Sequence, residues 1–128
     1  MDVFVRHPDV WSKTVFILNY DENDGFFAHV PAPVPALHSD EGSSTVPVSG
    51  ETYHGVGVGL GPRVPAILIS PWSKGGRVNS ELFDHTSVLM FLEARFGVRA
   101  PNITPWRRSV CGDLTSAFDF SETDTSWQ

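Results

Sequence analysis

The sequence predicts an α/β fold with a mostly parallel sheet and flanking helices, and three observations support this prediction. Two short apolar runs, residues 13–20 and 66–70, have the unbroken hydrophobicity of strands that are buried on both faces. A helix with an apolar face is predicted after the second run, and Gly97 ends it. Two strands and one helix cannot cover both faces of a sheet, so we expect the sheet to continue in sequence outside these 128 residues.

The first predicted strand ends in an acidic turn, and a long loop follows it. Residues 21–25, DENDG, are of the types that favour turns. Residues 31–63 are rich in Pro, Gly, Ser and His and show no periodicity, which predicts an irregular loop of a length that usually lines a functional site or is disordered. The second predicted strand lies between Pro65 and Pro71, which cannot extend a strand ladder.

The predicted helix has clear start and stop signals. One of three polar residues is expected to cap its start: Asp84, Thr86 or Ser87. Gly97 is expected to end it, and the apolar face consists of Val88, Leu89, Leu92 and Phe96. After the helix, residues 101–108 are expected to be irregular, and Asp113 is expected to cap a short helical turn that reaches residue 117.

Charge and cysteine content exclude several classes of protein. Nine Lys and Arg against fifteen Asp and Glu give a formal net charge of -6 without a basic run, so we expect no nucleic-acid partner. Cys111 is the only cysteine, which excludes an internal disulfide. We expect Cys111 to be buried and to pack as a small apolar residue. The first ten residues lack the apolar core of an export signal, and no segment has the length of a membrane span.

Candidate chemistry begins at the end of the first strand. Asp21 and Glu22 are adjacent carboxylates, and such oxygens are hard ligands for a divalent cation, although an exposed turn is the alternative. His29 can contact a phosphoryl group, donate a proton or bind metal, and Asp84 can orient the imidazole of His85, which follows it. Solvated or core histidines are the alternative for both. Four aromatic residues can form a cage for a quaternary ammonium group or can pack in the core: Phe26, Phe27, Trp72 and Trp106.

Three long segments resemble a known family. In order, WSKTVFILNYDENDGFFAHVPAP, GPRVPAILISPWSKGGRVNSELFDHTSVLMFLEARFG and ITPWRRSVCGDLTSAFDF are similar to the closing motifs of the bacterial phosphocholine-specific phospholipase C and acid phosphatase family. The resemblance spans nearly all of residues 8–120, except most of 35–51. It implies that residues 1–128 are the C-terminal portion of a single phosphoesterase catalytic domain with an alkaline-phosphatase-like fold.

The resemblance implies a function and assigns residues to it. The chain is expected to derive from a phospholipase C that hydrolyses a phosphodiester of choline phospholipids, with a related acid phosphatase or a non-catalytic remnant or binding module as alternatives. Asp21 and Glu22 are the implied ligands of a divalent metal ion, whose identity the sequence does not give. His29 and His85 are the implied catalytic residues near the phosphoryl group.

Two departures from the family pattern bear on activity. Ala28 stands where the family has an aspartate before the histidine, which removes a carboxylate that could orient His29 or meet the metal. The family's N-terminal half, which carries the hydroxyl nucleophile, is absent from the chain, so the chain by itself is expected to be inactive. We therefore expect this missing half as its partner, a phospholipid or other phosphate ester as substrate, and a secreted or cell-envelope location for the full-length protein.

Overall fold

A computed structural model describes residues 1–126 of the chain, which form a small mixed α/β unit. In chain order its elements are α1 (Asp2–Arg6), α2 (Pro8–Trp11), β1 (Phe16–Asn19), β2 (Thr52–Tyr53), β3 (Val56–Gly57), β4 (Ala66–Ile69), α3 (His85–Phe96), α4 (Pro105–Val110) and a 3-10 turn (Thr115–Ala117). The α/β class is thereby confirmed, whereas α1 and α2 were not predicted.

Strands β1 and β4 form where the sequence predicts them, but they pair in the opposite sense. Phe16 lies opposite Ile69 and Asn19 lies opposite Ala66, so the pair is antiparallel and the prediction of parallel strands is wrong. A parallel pair needs a crossover connection, usually a helix, and the described chain between β1 and β4 contains a hairpin and loops instead. The expected burial on both faces is also wrong, since Phe16 is 39% exposed.

The predicted loop over residues 31–63 is irregular for most of its length and contains one short hairpin. Strands β2 and β3 pair antiparallel, with Tyr53 opposite Val56. The two residues between them, His54 and Gly55, have φ values of 50° and 79°. Positive φ at both central positions is the mark of a type I′ turn, whose twist suits a two-residue hairpin. The hairpin therefore depends on local turn chemistry.

Helix α3 begins and ends at the predicted residues. The Asp84 carboxylate accepts a hydrogen bond from the backbone N–H of Thr86 at 2.8 Å, and the Ser87 hydroxyl accepts one from the N–H of Asp84 at 3.0 Å. Gly97 ends the helix in the left-handed conformation, with φ of 67°. Both caps are local features, which explains why the sequence predicts them.

The face of α3 that is buried differs from the prediction. Its buried residues are Ser87, Met90 and Phe91, while Leu89, Leu92 and Phe96 are exposed, Phe96 to 64%. Met90 and Phe91 belong to the two clusters that make the core. The first contains Met90, Ile103 and Cys111, and the second contains Phe91, Leu114 and Phe118. Of the predicted apolar face, Val88 packs against the second cluster, and Leu89, Leu92 and Phe96 are exposed in this unit.

A second correction concerns residues 101–108, which were expected to be irregular. Helix α4 begins at Pro105, and the Thr104 hydroxyl caps it by accepting from the N–H of Arg107. Proline suits the first position of a helix because its missing N–H would have no partner there. The predicted turn that reaches residue 117 is confirmed, but its cap position is Leu114 and not Asp113. Asp113 lies one residue earlier, and its carboxylate accepts from the N–H of Thr115 at 3.0 Å.

Candidate functional site

Asp21 and Glu22 lie in an exposed turn directly after β1. The turn is closed by a hydrogen bond from the Asn23 side chain to the carbonyl oxygen of Phe26, at 2.7 Å. Both carboxylates are accessible to solvent, so a cation can reach them without burial of an unpaired charge. Within residues 1–126, however, no three His, Cys, Asp or Glu side chains gather into a group that could hold a metal ion.

His85 lies against the end of β1. Its Nε2 atom is 2.9 Å from the carbonyl oxygen of Tyr20, the residue that precedes Asp21. His85 is the first residue of α3, so the helix start, the end of β1 and the acidic turn meet at one place. Two of the segments that carry predicted site residues are therefore adjacent.

His29 is the remaining predicted site residue. It is exposed, it lies in an irregular stretch nine residues after Tyr20, and it forms no metal-binding group with Asp21 and Glu22 in the described part of the chain. Ala28 beside it is exposed as well. The structure thus leaves the role of His29 a prediction.

A buried group of charged residues, which the sequence did not reveal, lies behind the start of α3. Arg107 on α4 donates to Asp84 at 2.6 Å, to the two carboxylate oxygens of Glu51 at 2.9 and 3.0 Å, and to the carbonyl oxygen of Gly59 at 2.7 Å. Thr104 also donates to Glu51, at 2.6 Å. Glu51 is only 1% exposed, and these donors satisfy a charge that would otherwise be costly to bury.

Electrostatic interactions in this group favour the ionised forms of Asp84 and Arg107. Burial by itself raises the pKa of Asp84, but hydrogen bonds from Thr86 and Arg107 outweigh burial and hold the pKa below its ordinary value. Burial likewise lowers the pKa of Arg107, and its bonds to Glu51 and Asp84 more than compensate, so that the pKa is raised. The net charge of two carboxylates and one guanidinium is -1, so Arg107 is the cation that offsets the charges of Glu51 and Asp84.

Gly59 completes the enclosure of Arg107. A side chain at this position would place its Cβ 2.6 Å from the carbonyl oxygen of Pro33, and φ of 64° also favours glycine. Within the predicted loop of residues 31–63, Gly59 therefore has a definite packing role.

Cys111 lies close to the same charged group and confirms the prediction of a buried cysteine. Burial raises the pKa of its thiol to about 12, and the negative charge of Asp84 adds to this effect. The thiol is therefore protonated at neutral pH and is no nucleophile there.

A second arginine ties the far end of α3 to α4. Arg108 forms a two-point ion pair with Glu93, with distances of 2.7 and 2.8 Å. These bonds from Arg108, with one from the N–H of Ala100, lower the pKa of Glu93 to about 2. Consecutive arginines on α4 therefore hold the two ends of the same helix.

A large apolar cavity lies away from the predicted site. It has a volume of about 860 Å³ and lies between β1, the second half of α3 and the C-terminal segment. Its apolar lining consists of Val15, Ile17, Trp72, Phe91, Leu92, Ala94, Phe96 and Phe120, and Lys13 and Arg95 also line it. None of the four predicted site residues lines this cavity.

The aromatic residues considered for a cage do not share one environment. Trp106 is buried and Trp72 packs against Phe120 with ring centroids 5.4 Å apart, whereas Phe27 is 92% exposed. Core packing is confirmed for Trp106, which is buried, and for Trp72, which packs against the cluster of Phe91, Leu114 and Phe118, whereas Phe26 is exposed like its neighbour. No helix within residues 1–126 is both long and apolar enough to cross a membrane.

Comparisons with known proteins give consistent similarities. The profile of the Phosphoesterase family matches residues 1–99. The chain is 61% identical to the hemolytic phospholipase C of Pseudomonas aeruginosa, 57% identical to the non-hemolytic phospholipase C of Burkholderia pseudomallei and 46% identical to phospholipase C B of Mycobacterium tuberculosis. These alignments cover 94%, 99% and 93% of this chain but 17%, 20% and 24% of the relatives. The chain thus spans about a fifth of the length of the curated relatives it matches.

Proposed function

Because the chain belongs to the Phosphoesterase family, we propose that it is the C-terminal portion of a phospholipase C that hydrolyses choline phospholipids. The bond proposed to break is the phosphodiester bond on the glycerol side. The observation that carries this proposal is the 61% identity to a hemolytic phospholipase C across 94% of the chain. Below, "parent" means the longer protein of which this chain would be a part.

The metal proposal depends on the chemistry of Asp21 and Glu22. Two exposed carboxylates at the end of a strand suit a hard divalent cation, and two ligands are fewer than a catalytic metal site uses. The set therefore fits a metal ion as half of a site, with the other ligands supplied by the rest of the parent. A bound divalent ion would supply positive charge to the phosphoryl oxygens.

His29 and His85 are proposed to act near the phosphoryl group. The 2.9 Å contact between His85 and Tyr20 supports this role for His85, because it keeps the imidazole beside the acidic turn. His29 lacks such support, and its role requires that the parent orders the segment around Ala28. A protonated imidazole donates to a phosphoryl oxygen or to a leaving alkoxide, which are the tasks that hydrolysis needs.

The proposed partner of this chain is the preceding part of the same catalytic domain, which carries the nucleophile. The exposed Leu92 and Phe96 and the open cavity of about 860 Å³ support it, because an apolar surface of this kind is normally covered. A sheet of only β1 and β4 is marginal without further strands. We propose that both elements are part of a larger sheet in an alkaline-phosphatase-like fold, with residues 1–128 as its C-terminal portion.

A chimera tests the proposed function. This chain replaces the matched segment of the Pseudomonas aeruginosa hemolytic phospholipase C, and hydrolysis of phosphatidylcholine is measured by release of phosphocholine. Retained turnover would support the phospholipase C proposal, while a folded chimera without turnover would contradict it. The isolated 128-residue chain is expected to show no turnover, and a metal-dependent rate from it would refute that expectation.

The same assay separates the alternative functions. An aryl phosphate monoester is offered in parallel with phosphatidylcholine, and preferential cleavage of the monoester would favour the acid phosphatase. A non-catalytic remnant predicts a folded chimera that cleaves neither substrate. The three relatives described above are phospholipases C by name, which is why the diester is the favoured substrate.

Export of the parent to the cell envelope or the medium is a further part of the proposal. It rests on the family resemblance alone. Fractionation of cells that express the parent, followed by detection in medium, envelope and cytosol, would test it, and recovery only from the cytosol would contradict it.

A further inference from the structure

Arg107 connects three separate parts of the chain to one point behind the start of α3. Its guanidinium meets Asp84 at the helix cap, Glu51 before the β2–β3 hairpin, and the carbonyl oxygen of Gly59 after that hairpin. The partners Glu51 and Asp84 lie 56 and 23 residues away in sequence. Such a junction fixes long-range positions that no local signal determines.

Asp84, which Arg107 contacts, is the residue directly before His85. One carboxylate oxygen of Asp84 accepts from Thr86 and the other accepts from Arg107, so neither is left to rotate away. His85 follows Asp84 directly, and its ring reaches the Tyr20 carbonyl oxygen at 2.9 Å. Asp21 follows Tyr20. A short chain of contacts therefore runs from Arg107 to the acidic turn.

The chemistry of this position requires arginine. A guanidinium donates in a planar fork, which matches the two oxygens of Glu51 and leaves a further N–H for Asp84. A lysine ammonium is one point charge and cannot make all these bonds at once. Loss of the guanidinium leaves the nearly buried carboxylates of Glu51 and Asp84 without a cation. The start of α3 would then shift so that water reaches these carboxylates.

We propose that Arg107, itself held by Glu51, is a positioning residue that fixes His85 against the end of β1 by way of Asp84. This proposal rests on the proposed function only in giving the position of His85 a use in phosphoester hydrolysis. The contacts from Arg107 to Asp84 and from His85 to Tyr20 are present in this chain and can be measured without any enzymatic activity.

Arg108 provides a matched control on the same helix. It is the next residue, it also pairs with a carboxylate on α3, and its partner Glu93 lies near the far end of that helix. The full 128-residue chain is prepared as wild type, Arg107→Met and Arg108→Met, with ¹⁵N and ¹³C labels. The readouts are the nuclear Overhauser effect between the His85 ring and Tyr20 or Asp21, and the amide shifts of Met90 and Phe91 as a measure of folding.

In Arg107→Met we expect the nuclear Overhauser effect between the His85 ring and Tyr20 or Asp21, called the His85 effect below, to be lost. The amide shifts of Met90 and Phe91 should stay dispersed, as in a folded chain. In Arg108→Met we expect the His85 effect to remain. Equal behaviour of the two variants would overturn the proposal, because a merely structural ion pair at either end would then account for it. Should Arg107→Met not fold, Arg107→Lys decides. We expect it to weaken the His85 effect, and an effect as strong as in wild type would overturn the proposal.

The chimera adds a readout by rate. Arg107→Met is expected to lower kcat on the order of 10- to 100-fold with a smaller change in KM, as displacement of an active-site group by about 1 Å does. Arg108→Met is expected to leave kcat near that of the unsubstituted chimera, and equal losses in both would contradict the positioning role. Inactivity of the unsubstituted chimera would count against the proposed function and leave the result from the isolated chain intact.

Discussion

The Nε2 atom of His85 lies 2.9 Å from the carbonyl oxygen of Tyr20, so the first residue of α3 is bonded to the last residue before the acidic turn. A carbonyl oxygen only accepts, and the bond therefore requires the proton of a neutral His85 on Nε2. The Nδ1 atom is then the ring nitrogen left to accept a proton. This fixes which nitrogen of His85 faces any further chemistry.

We predict that neutral His85 is mainly the Nε2–H tautomer. The ¹⁵N shifts of its ring at about pH 8 report the tautomer directly. The exposed His29 in the same spectrum is the internal comparison and is expected to show a mixture. A dominant Nδ1–H form of His85 would show that the contact with Tyr20 does not persist in solution.

We predict that Asp84 contributes to stability both as a cap and as an ion-pair partner. Asp84→Asn keeps an N-cap but loses the charged bond to Arg107, and should cost about 1.5–3 kcal/mol of the free energy of unfolding. Asp84→Ala also removes the cap and should cost roughly 1 kcal/mol more. Urea unfolding followed by circular dichroism measures both values, and equal losses would mean that the cap contributes nothing.

We predict an acid-sensitive stability that depends on Glu93. The pKa of Glu93 is about 2 in the folded chain against an ordinary value of 4.5, mainly because Arg108 donates to it. A lowered pKa means that the folded state favours the carboxylate, so the stabilisation is complete above about pH 4.5 and is lost as pH falls towards 2. Urea unfolding between pH 6 and about 2.5 measures the slope.

Glu93→Gln should flatten that pH dependence, since its amide does not titrate. The exposed Glu122 offers a matched control, and Glu122→Gln should keep the wild-type slope. Identical slopes for Glu93→Gln and wild type would rule out Glu93 as a source of the acid sensitivity.

We predict that Cys111 reacts slowly with thiol reagents in the folded chain. Its buried thiol has a pKa of about 12, and the thiolate is the reactive form. Labelling at about pH 8 should therefore be much slower than in urea, where the thiol regains a pKa of about 8.5. Since Cys111 is the only cysteine, one site is followed, and equal rates with and without urea would contradict its burial.

Local signals in the sequence were sufficient for the elements that local chemistry specifies. The caps of α3 at Asp84 and Gly97 are confirmed because a cap involves only neighbouring residues. Helix α4 is not predicted, although Thr104 and Pro105 are a cap and a first-turn proline of the kind that begins a helix. That error lies in the interpretation of a signal that was present.

Features that depend on distant residues were beyond the sequence. The antiparallel sense of β1 and β4 depends on how the long connection between them returns, and the bond between Arg107 and Glu51 spans 56 residues. The exposed Leu92 and Phe96 look like core residues by pattern, and we attribute their exposure to the part of the parent that would cover them. The roles of Asp21, Glu22 and His29 remain predictions for the same reason.

The central claim is that Asp21 and Glu22 hold a metal ion for phosphodiester hydrolysis. The most direct test measures bound metal and phosphatidylcholine hydrolysis in the chimera, with and without Asp21→Asn combined with Glu22→Gln. A matched control changes Asp40 and Glu41, an exposed adjacent acidic pair in the loop, to Asn and Gln. We expect the first double variant to lose both metal and turnover while the control keeps both. Metal content and turnover that survive the change of Asp21 and Glu22 would contradict the claim.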